Sequence, residues 1–220
     1  MQEFVQSFEK LKHPVSLSES EESWDQIYNG YQQLGRLCQS GAFKYTAEVI
    51  SSFRSIHRNL ISAINSERTR LSGAALDVLS ALAEGLGTDF DPLLSLFLPS
   101  LLLLCGRTNK ITISRAKGCI FAIIEATQLP DIINYLAQFS KDKSPTIRLM
   151  AAEGTLSCLK CFNPPDLEQE NSSLCIETLI RNSVRDANAD IRKVGKEIFW
   201  NYKVLLPGRV AKYVSSPCPR

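Results

Sequence analysis

The sequence has little net charge, since 25 lysines and arginines stand against 23 aspartates and glutamates in 220 residues. A nucleic-acid-binding domain is more often clearly basic over its whole length, so the balance argues against nucleic acid as a partner. Long apolar runs are lacking too. The most apolar stretch, Pro92 to Cys105, is shorter than the roughly 20 residues that span a bilayer, and Pro99 interrupts it. The sequence therefore predicts a buried helix here and no membrane partner.

Residues and motifs typical of catalysis are scarce. The two histidines, His13 and His57, have no convincing nucleophile nearby in the sequence, and no glycine-rich phosphate loop or zinc-protease motif occurs. Seven cysteines form an odd set that lies mostly in apolar helical runs, which is typical of buried thiols in a reducing compartment. Cys158 and Cys161 lack two further ligands at the spacing of a zinc site. We therefore predict no enzymatic activity, no cofactor and no metal site.

Sustained strand alternation is also lacking, whereas apolar residues recur at helical spacing between short polar turns. Several of these helical segments open on an arginine three residues before a small residue. The copies are Arg70 with Gly73, Arg148 with Ala151 and Arg192 with Gly195, and a looser copy at 111–116 has Thr112 in the arginine position. The copies recur at roughly the 40–47 residues that are typical of HEAT-type helix pairs.

This periodicity predicts an all-α fold, an α-solenoid of HEAT-like helix hairpins with about five full pairs plus a partial sixth. A single domain is predicted over residues 1–214, with 215–220 as a frayed tail or the start of a linker. The predicted helices, in chain order, are 3–12, 24–40, 42–63, 69–86, 92–105, 111–127, 129–139, 146–162, 167–184, 190–205 and 209–214.

In such a stack the turns within the pairs lie along one edge, and here most of them have a basic bias. Cations beside a helix N-terminus are unfavourable by a few tenths of a kcal/mol, so their repetition suggests that the edge binds an acidic surface. Lys110 and Lys143 stand at turn apices with no evident partner and are predicted contacts. Arg148 and Arg192 have a structural alternative, which is bonding to an aspartate of the same or a neighbouring turn.

The two tryptophans lie in different surroundings. Trp24 follows a turn rich in serine and glutamate, and it is either a cap on the core or an exposed interface anchor. Trp200 has Ile198, Phe199 and Tyr202 around it in the sequence and is predicted to lie in the core.

Several segments together resemble a known family. They are Trp24-Asp25-Gln26, Glu84 to Phe90, Asn109-Lys110-Ile111, Lys141 to Arg148, Asp186 to Arg192 and Phe199-Trp200. In their order and spacing, nearly the whole chain resembles a TOG domain, most closely those of the CLASP family of microtubule-associated proteins.

The resemblance implies that the turn edge binds the side of an αβ-tubulin heterodimer or the microtubule lattice, with Trp24 packed against β-tubulin. It also implies a role in stabilising microtubules, suppressing catastrophe and promoting rescue in the cytoplasm, at the spindle and at kinetochores. The predicted tubulin-binding residues are Trp24, Arg68, Arg70, Asn109, Lys110, Lys143, Arg148, Asn188, Arg192 and Lys193.

Two alternatives remain open. The first turn is acidic, with Glu19, Glu21 and Glu22, which is unfavourable beside an acidic partner. A HEAT scaffold that binds a kinetochore, cortical or plus-end adaptor through its outer helix faces is therefore the first alternative. A polymerase-type TOG domain that captures free tubulin is the second.

Overall fold

In the computed structural model the described residues are 2–40 and 42–210, and each regular element among them is a helix. The chain divides into two compact units, Met1–Thr127 (unit 1) and Gln128–Arg220 (unit 2). The prediction of one domain over 1–214 stays a prediction. Residues 207–210 are helical, whereas the rest of the predicted sixth segment and the predicted tail lie outside the described residues.

Unit 1 contains three successive helix pairs. Its helices are α1 (Gln2–Val15), α2 (Trp24–Gln39), α3 (Thr46–Ile64), α4 (Thr69–Leu86), α5 (Asp91–Leu104) and α6 (Lys110–Thr127). The first helices α1, α3 and α5 pack in one layer, and the second helices α2, α4 and α6 pack in another. Large side chains from both layers, such as Tyr31, Phe53 and Phe97, are almost inaccessible to solvent. The apolar stripes of the sequence therefore meet between the two layers.

The most apolar part of the chain, residues 69–104, passes by length and composition for a membrane span. In the structure a short 3-10 turn, Gly87–Phe90, divides it into α4 and α5. Leu71, Leu82, Leu93 and Leu101 are all buried within unit 1. The stretch is therefore explained by burial in the core of unit 1, as the interpretation of Pro92 to Cys105 predicted.

Unit 2 contains two further pairs. Its helices are α7 (Asp131–Phe139), α8 (Pro145–Cys161), α9 (Pro164–Glu168), α10 (Glu170–Val184) and α11 (Ala189–Leu205). The first helices α7 and α10 pack together, and so do the second helices α8 and α11. The sequence predicted one helix over 167–184, but extended backbone at Gln169 separates α9 from α10.

The small residues of the repeated pattern make room for neighbouring atoms. At Gly195 a Cβ atom would lie 2.7 Å from the Cβ of Ser183 and 2.9 Å from the backbone nitrogen of Val184. The absent side chain therefore lets α11 approach the end of α10. At Gly73 a Cβ atom would lie 1.4 Å from the Nη1 atom of Arg115, so this glycine accommodates a flexible guanidinium group.

The prediction that Trp200 lies in the core is wrong, because the side chain is 61% exposed. Helix α11 buries Ile191, Gly195, Ile198 and Tyr202 on one face. Trp200 follows Ile198 by two residues, which is about 200° around a helix of 3.6 residues per turn. Ile198 and Tyr202, each two residues away, therefore lie on the opposite side of the helix from Trp200.

Candidate functional site

The turns within the helix pairs are the candidate binding site. Unit 1 contributes turn 1 (16–23), turn 2 (65–68) and turn 3 (105–109), and unit 2 contributes turn 4 (140–144) and turn 5 (185–188). Within each unit, an arginine reaches from one turn to a neighbouring turn. These cross-turn contacts give adjacent turns a fixed relation to each other, which the sequence pattern alone does not specify.

Turn 1 is joined to turn 2 by Arg68. Its Nη1 atom donates a hydrogen bond of 2.8 Å to the carboxylate of Glu19, and its Nη2 atom pairs with Glu21. Ser66 of turn 2 donates a further bond of 2.8 Å to Glu19. The acidic charge that made turn 1 unfavourable beside an acidic partner is thus partly compensated within unit 1.

Trp24 lies half-buried at the start of α2, between two arginines. The guanidinium carbon of Arg68 lies 5.6 Å from the centroid of its ring, and that of Arg70 lies 5.9 Å away. Arg70 also stacks on Tyr28 at 4.6 Å. Each exposed cation–π contact of this kind contributes about 0.5–1 kcal/mol. The three predicted contact residues of this region therefore form one aromatic and basic cluster.

Turn 3 is held against turn 2 by Arg107. This side chain donates to the carbonyl and the side-chain oxygen of Asn65, at 3.0 and 3.1 Å, and pairs with Glu67 at 2.9 Å. The sequence analysis did not single out Arg107, because its partners lie about forty positions earlier and nothing in the local pattern identifies them.

At the end of turn 3, the side-chain oxygen of Asn109 caps α6. It accepts hydrogen bonds from the backbone nitrogens of Ile111 and Thr112, at 2.9 and 3.3 Å. Capping of this kind is the usual role of asparagine before a helix. The side chain of Lys110 is exposed, and that of Ile111 is 59% exposed. Ile111, in the first turn of α6, is an exposed apolar residue beside turn 3 that is not among the predicted binding residues.

In unit 2 the arginine that joins two turns is Arg148, at the start of α8, and its side chain is 18% exposed. Arg148 donates two bonds to the carboxylate of Asp186, from Nε at 2.7 Å and from Nη2 at 3.0 Å. Its Nη1 atom also donates to the carbonyl oxygens of Asp142 and Lys143, at 2.9 and 3.1 Å. The hydrogen bonds from Arg148 lower the pKa of Asp186 below its ordinary value, although burial opposes them. The structural alternative for Arg148, pairing with an aspartate of the neighbouring turn, is confirmed.

Arg192 stabilises turn 5 through the backbone. Its Nη1 atom donates to the carbonyl oxygens of Asp186 and Ala187, at 2.8 and 2.7 Å. The side chain of Asn188 caps α11 by accepting bonds from the backbone nitrogens of residues 190 and 191. The side chains of Lys143 and Lys193, in contrast, are exposed to solvent.

The ten predicted residues thus lie in two groups. Trp24, Arg68 and Arg70 touch one another in unit 1, with Asn109 and Lys110 after turn 3. In unit 2 the predicted residues lie in turns 4 and 5 and at the starts of α8 and α11. Several of them have structural partners, whereas Arg70 and the three lysines are exposed cations. Whether these residues bind a partner stays a prediction.

No group of three or more histidine, cysteine or acidic side chains within residues 2–40 and 42–210 is arranged to hold a metal ion. Cys38 and Cys119 are buried, and burial raises the pKa of each thiol to about 12. Burial also raises the pKa of Cys158, which lies in the core of unit 2. These thiols are protonated near neutral pH, so they are poor nucleophiles.

Comparison with known proteins identifies a family for this chain. The sequence model of the family described as CLASP N terminal matches residues 4–217. Protein stu1 of Aspergillus fumigatus is 24% identical to the chain over 207 residues, which cover 92% of this chain and 15% of that protein. The chain therefore corresponds to a small part of this relative's length.

Solved structures show the same fold. The structure described as "CEP104 TOG domain" matches with a TM-score of 0.68 and 16% identity, covering 100% of this chain and 89% of that one. A chain described under "TOG-tubulin binding specificity promotes microtubule dynamics and mitotic spindle formation" matches with a TM-score of 0.69 and 12% identity, covering 98% and 88%. These matches confirm the predicted α-solenoid of HEAT-like helix pairs.

Proposed function

This chain belongs to the CLASP N-terminal family, and from that premise we propose that it is a non-enzymatic module that binds αβ-tubulin or the microtubule lattice. The proposed contacts come from turns 1 to 3 in unit 1 and from turns 4 and 5 in unit 2. Through these contacts the module regulates microtubule dynamics, by stabilising microtubules, suppressing catastrophe and promoting rescue. The proteins that contain it act in the cytoplasm on the microtubule cytoskeleton and the spindle.

The observation that supports this proposal most strongly is the cluster around Trp24. A half-buried indole flanked by two guanidinium groups presents apolar area and positive charge at one place. Tryptophan and arginine are enriched among the residues that dominate binding energy at protein interfaces. The cluster therefore suits a partner surface that combines an apolar contact with carboxylates.

The exposed lysines of unit 2 complement this cluster. Because Arg148 and Arg192 bond within their own unit, Lys143 and Lys193 are the exposed cations among the predicted residues of unit 2. Exposed charges at the rim of an interface act mainly on association rate and on salt dependence. We therefore assign the apolar anchoring to unit 1 and the electrostatic attraction to unit 2.

The test is size-exclusion co-elution with αβ-tubulin at low and at physiological salt, paired with microtubule co-pelleting. The double variant Trp24→Ala with Lys143→Glu is expected to bind about thirtyfold or more weakly, since a central tryptophan alone is worth about 2 kcal/mol. The two assays also separate capture of free tubulin, the polymerase-type alternative, from binding to the lattice.

The chain offers a matched control. Trp200 is exposed on α11, and Lys203 lies over its ring at 5.2 Å. Trp200→Ala with Lys203→Glu removes the same two side-chain types about 18 Å along the helix from turn 5. This control is expected to bind tubulin like the wild type. Equal binding by both double variants, or equal loss in both, would contradict a site on the turns.

Binding of an adaptor protein through an outer helix face is a second candidate function. Trp200 and Val204 favour it, because they are four residues apart on α11 and are 61% and 76% exposed. Residues at this spacing share one face of a helix. In pull-downs with kinetochore or plus-end adaptors, loss of capture in the Trp200 variant but not in the Trp24 variant would support this second surface.

A further inference from the structure

A basic cleft in unit 1 lies on the layer of second helices. It has a volume of about 280 Å³. Helix α2 contributes Tyr28, Gln32 and Arg36 to its lining, helix α4 contributes Arg70 and Asp77, and helix α6 contributes Arg115. The predicted set of tubulin-binding residues includes only Arg70 among these side chains.

The three arginines of this cleft differ from the arginines that join the turns. Arg68, Arg107 and Arg148 each form an ion pair with a carboxylate. For Arg36, Arg70 and Arg115, no carboxylate among residues 2–40 and 42–210 lies within ion-pairing distance of the guanidinium group. Asp77 is the single acidic residue in the lining. The cleft therefore has a net positive charge that direct ion pairs do not compensate.

Two of these guanidinium groups lie against neighbouring residues. Arg70 stacks on Tyr28 at 4.6 Å, and the hydroxyl of Tyr28 accepts a hydrogen bond of 2.6 Å from Gln32. Arg115 lies against the bare Cα atom of Gly73, in the space that a side chain would otherwise fill. A guanidinium group that is already ordered loses less conformational entropy when it binds a carboxylate.

The backbone positions of the arginines are spread along the cleft. Helices α2 and α4 run side by side, with Tyr28 opposite Arg70 and Gly35 opposite Val78. Arg36 therefore lies about 12 Å further along the helices than Arg70, at 1.5 Å of rise per residue. An extended peptide covers this distance in about four residues.

From the uncompensated positive charge, the stacking of Arg70 and the spread of the arginines along the cleft, we propose that the cleft binds an extended acidic peptide segment of a protein partner. Its aspartate or glutamate carboxylates pair with Arg36, Arg70 and Arg115, and such pairs are among the stronger hydrogen bonds in proteins. The side-chain amides of Gln32 and Gln39 line the same cleft and bond to the peptide backbone. The chain's balanced total charge favours a peptide over a nucleic acid.

The experiment measures binding of a fluorescein-labelled oligoglutamate peptide by fluorescence polarisation at low salt. Arg36→Glu with Arg115→Glu, two exposed residues outside the predicted tubulin set, is expected to weaken binding about tenfold or more. Gly73→Ala is expected to weaken it several-fold, because the added methyl group displaces Arg115 without changing the charge.

Arg54→Glu with Arg58→Glu is the matched control, since both side chains are exposed on α3, in the other helix layer of the same unit. It is expected to bind the peptide within a factor of two of the wild type. The proposal is overturned if the wild type does not bind the peptide, if the cleft and control variants lose affinity equally, or if a single-stranded oligonucleotide binds equally well. It is also overturned if the cleft variant loses tubulin co-elution, because the cleft would then be part of the tubulin surface.

Discussion

Arg107 in unit 1 and Arg148 in unit 2 both reach from one turn to a neighbouring turn, but their surroundings differ. The carboxylate partner of Arg107 is Glu67, whose side chain is 88% exposed, whereas the partner of Arg148 is Asp186, whose side chain is 8% exposed. An exposed ion pair contributes little because water screens it, whereas removing one partner of a buried pair leaves an uncompensated charge. Two arginines that both join neighbouring turns therefore contribute unequally to stability.

The difference extends to the accessible charge of each unit. In unit 1 the arginines lie at the surface beside Trp24, where a partner can contact them. In unit 2 Arg148 and Arg192 bond to the backbone of their own turns, and lysines provide the exposed charge. In unit 1 the accessible contact residues are therefore arginines beside an aromatic ring, whereas in unit 2 they are isolated lysines.

The largest effect is expected from removal of the buried arginine. Arg148→Ala should lower the free energy of unfolding by about 3 kcal/mol, because Asp186 loses its buried partner and two carbonyl oxygens lose a donor. Urea denaturation followed by circular dichroism measures this change. Arg107→Ala, the counterpart in unit 1, should cost about 1 kcal/mol or less. Equal losses would remove the distinction between the units.

A smaller effect is expected at the glycines of the repeated pattern. Gly195→Ala should destabilise by about 1–3 kcal/mol, because the new methyl group meets the backbone of Val184 and a helix must shift. Gly73→Ala meets only the flexible end of Arg115, and alanine favours the helix by about 1 kcal/mol, so the variant should be as stable as the wild type or slightly more so. Thermal unfolding of the two variants measures this difference in stability. Equal loss of stability in both would contradict the prediction.

The smallest effect concerns pH. Because the pKa of Asp186 is lowered in the folded state, its ionised form stabilises the fold above its ordinary pKa of 3.8. This contribution is lost as the pH falls from 3.8 through the folded-state value. In denaturation series between about pH 5 and pH 2, stability should therefore fall less steeply in Asp186→Asn than in the wild type. Glu67→Gln, at the exposed pair, should lose stability with falling pH as steeply as the wild type does. The same fall in stability in all three proteins would argue against this role of Asp186.

The sequence predicted much of the candidate site, but not what each residue contacts. Turn polarity located Lys110 and Lys143, and the structure leaves both side chains exposed. Apolar neighbours in the sequence suggested that Trp200 lies in the core, but its side chain is exposed. Such neighbours do not reveal which face of a helix is buried. Arg107 was missed since its partners belong to the preceding turn, about forty residues away.

By itself, the sequence determined the helices, their pairing and the polar turns between them, because helical periodicity and helix-stop residues act over a few neighbouring positions. Only the tertiary structure decided which arginines are bonded within the protein and which are available to a partner. Arg148 is bonded because the packing of α8 against α11 places Asp186 beside it, whereas α2, α4 and α6 gather Arg36, Arg70 and Arg115 around one cleft without ion-paired carboxylates among the described residues. Whether an arginine can bind a partner depends on carboxylates that are far away in the sequence, because only the packing of the helices decides which of them lie beside it.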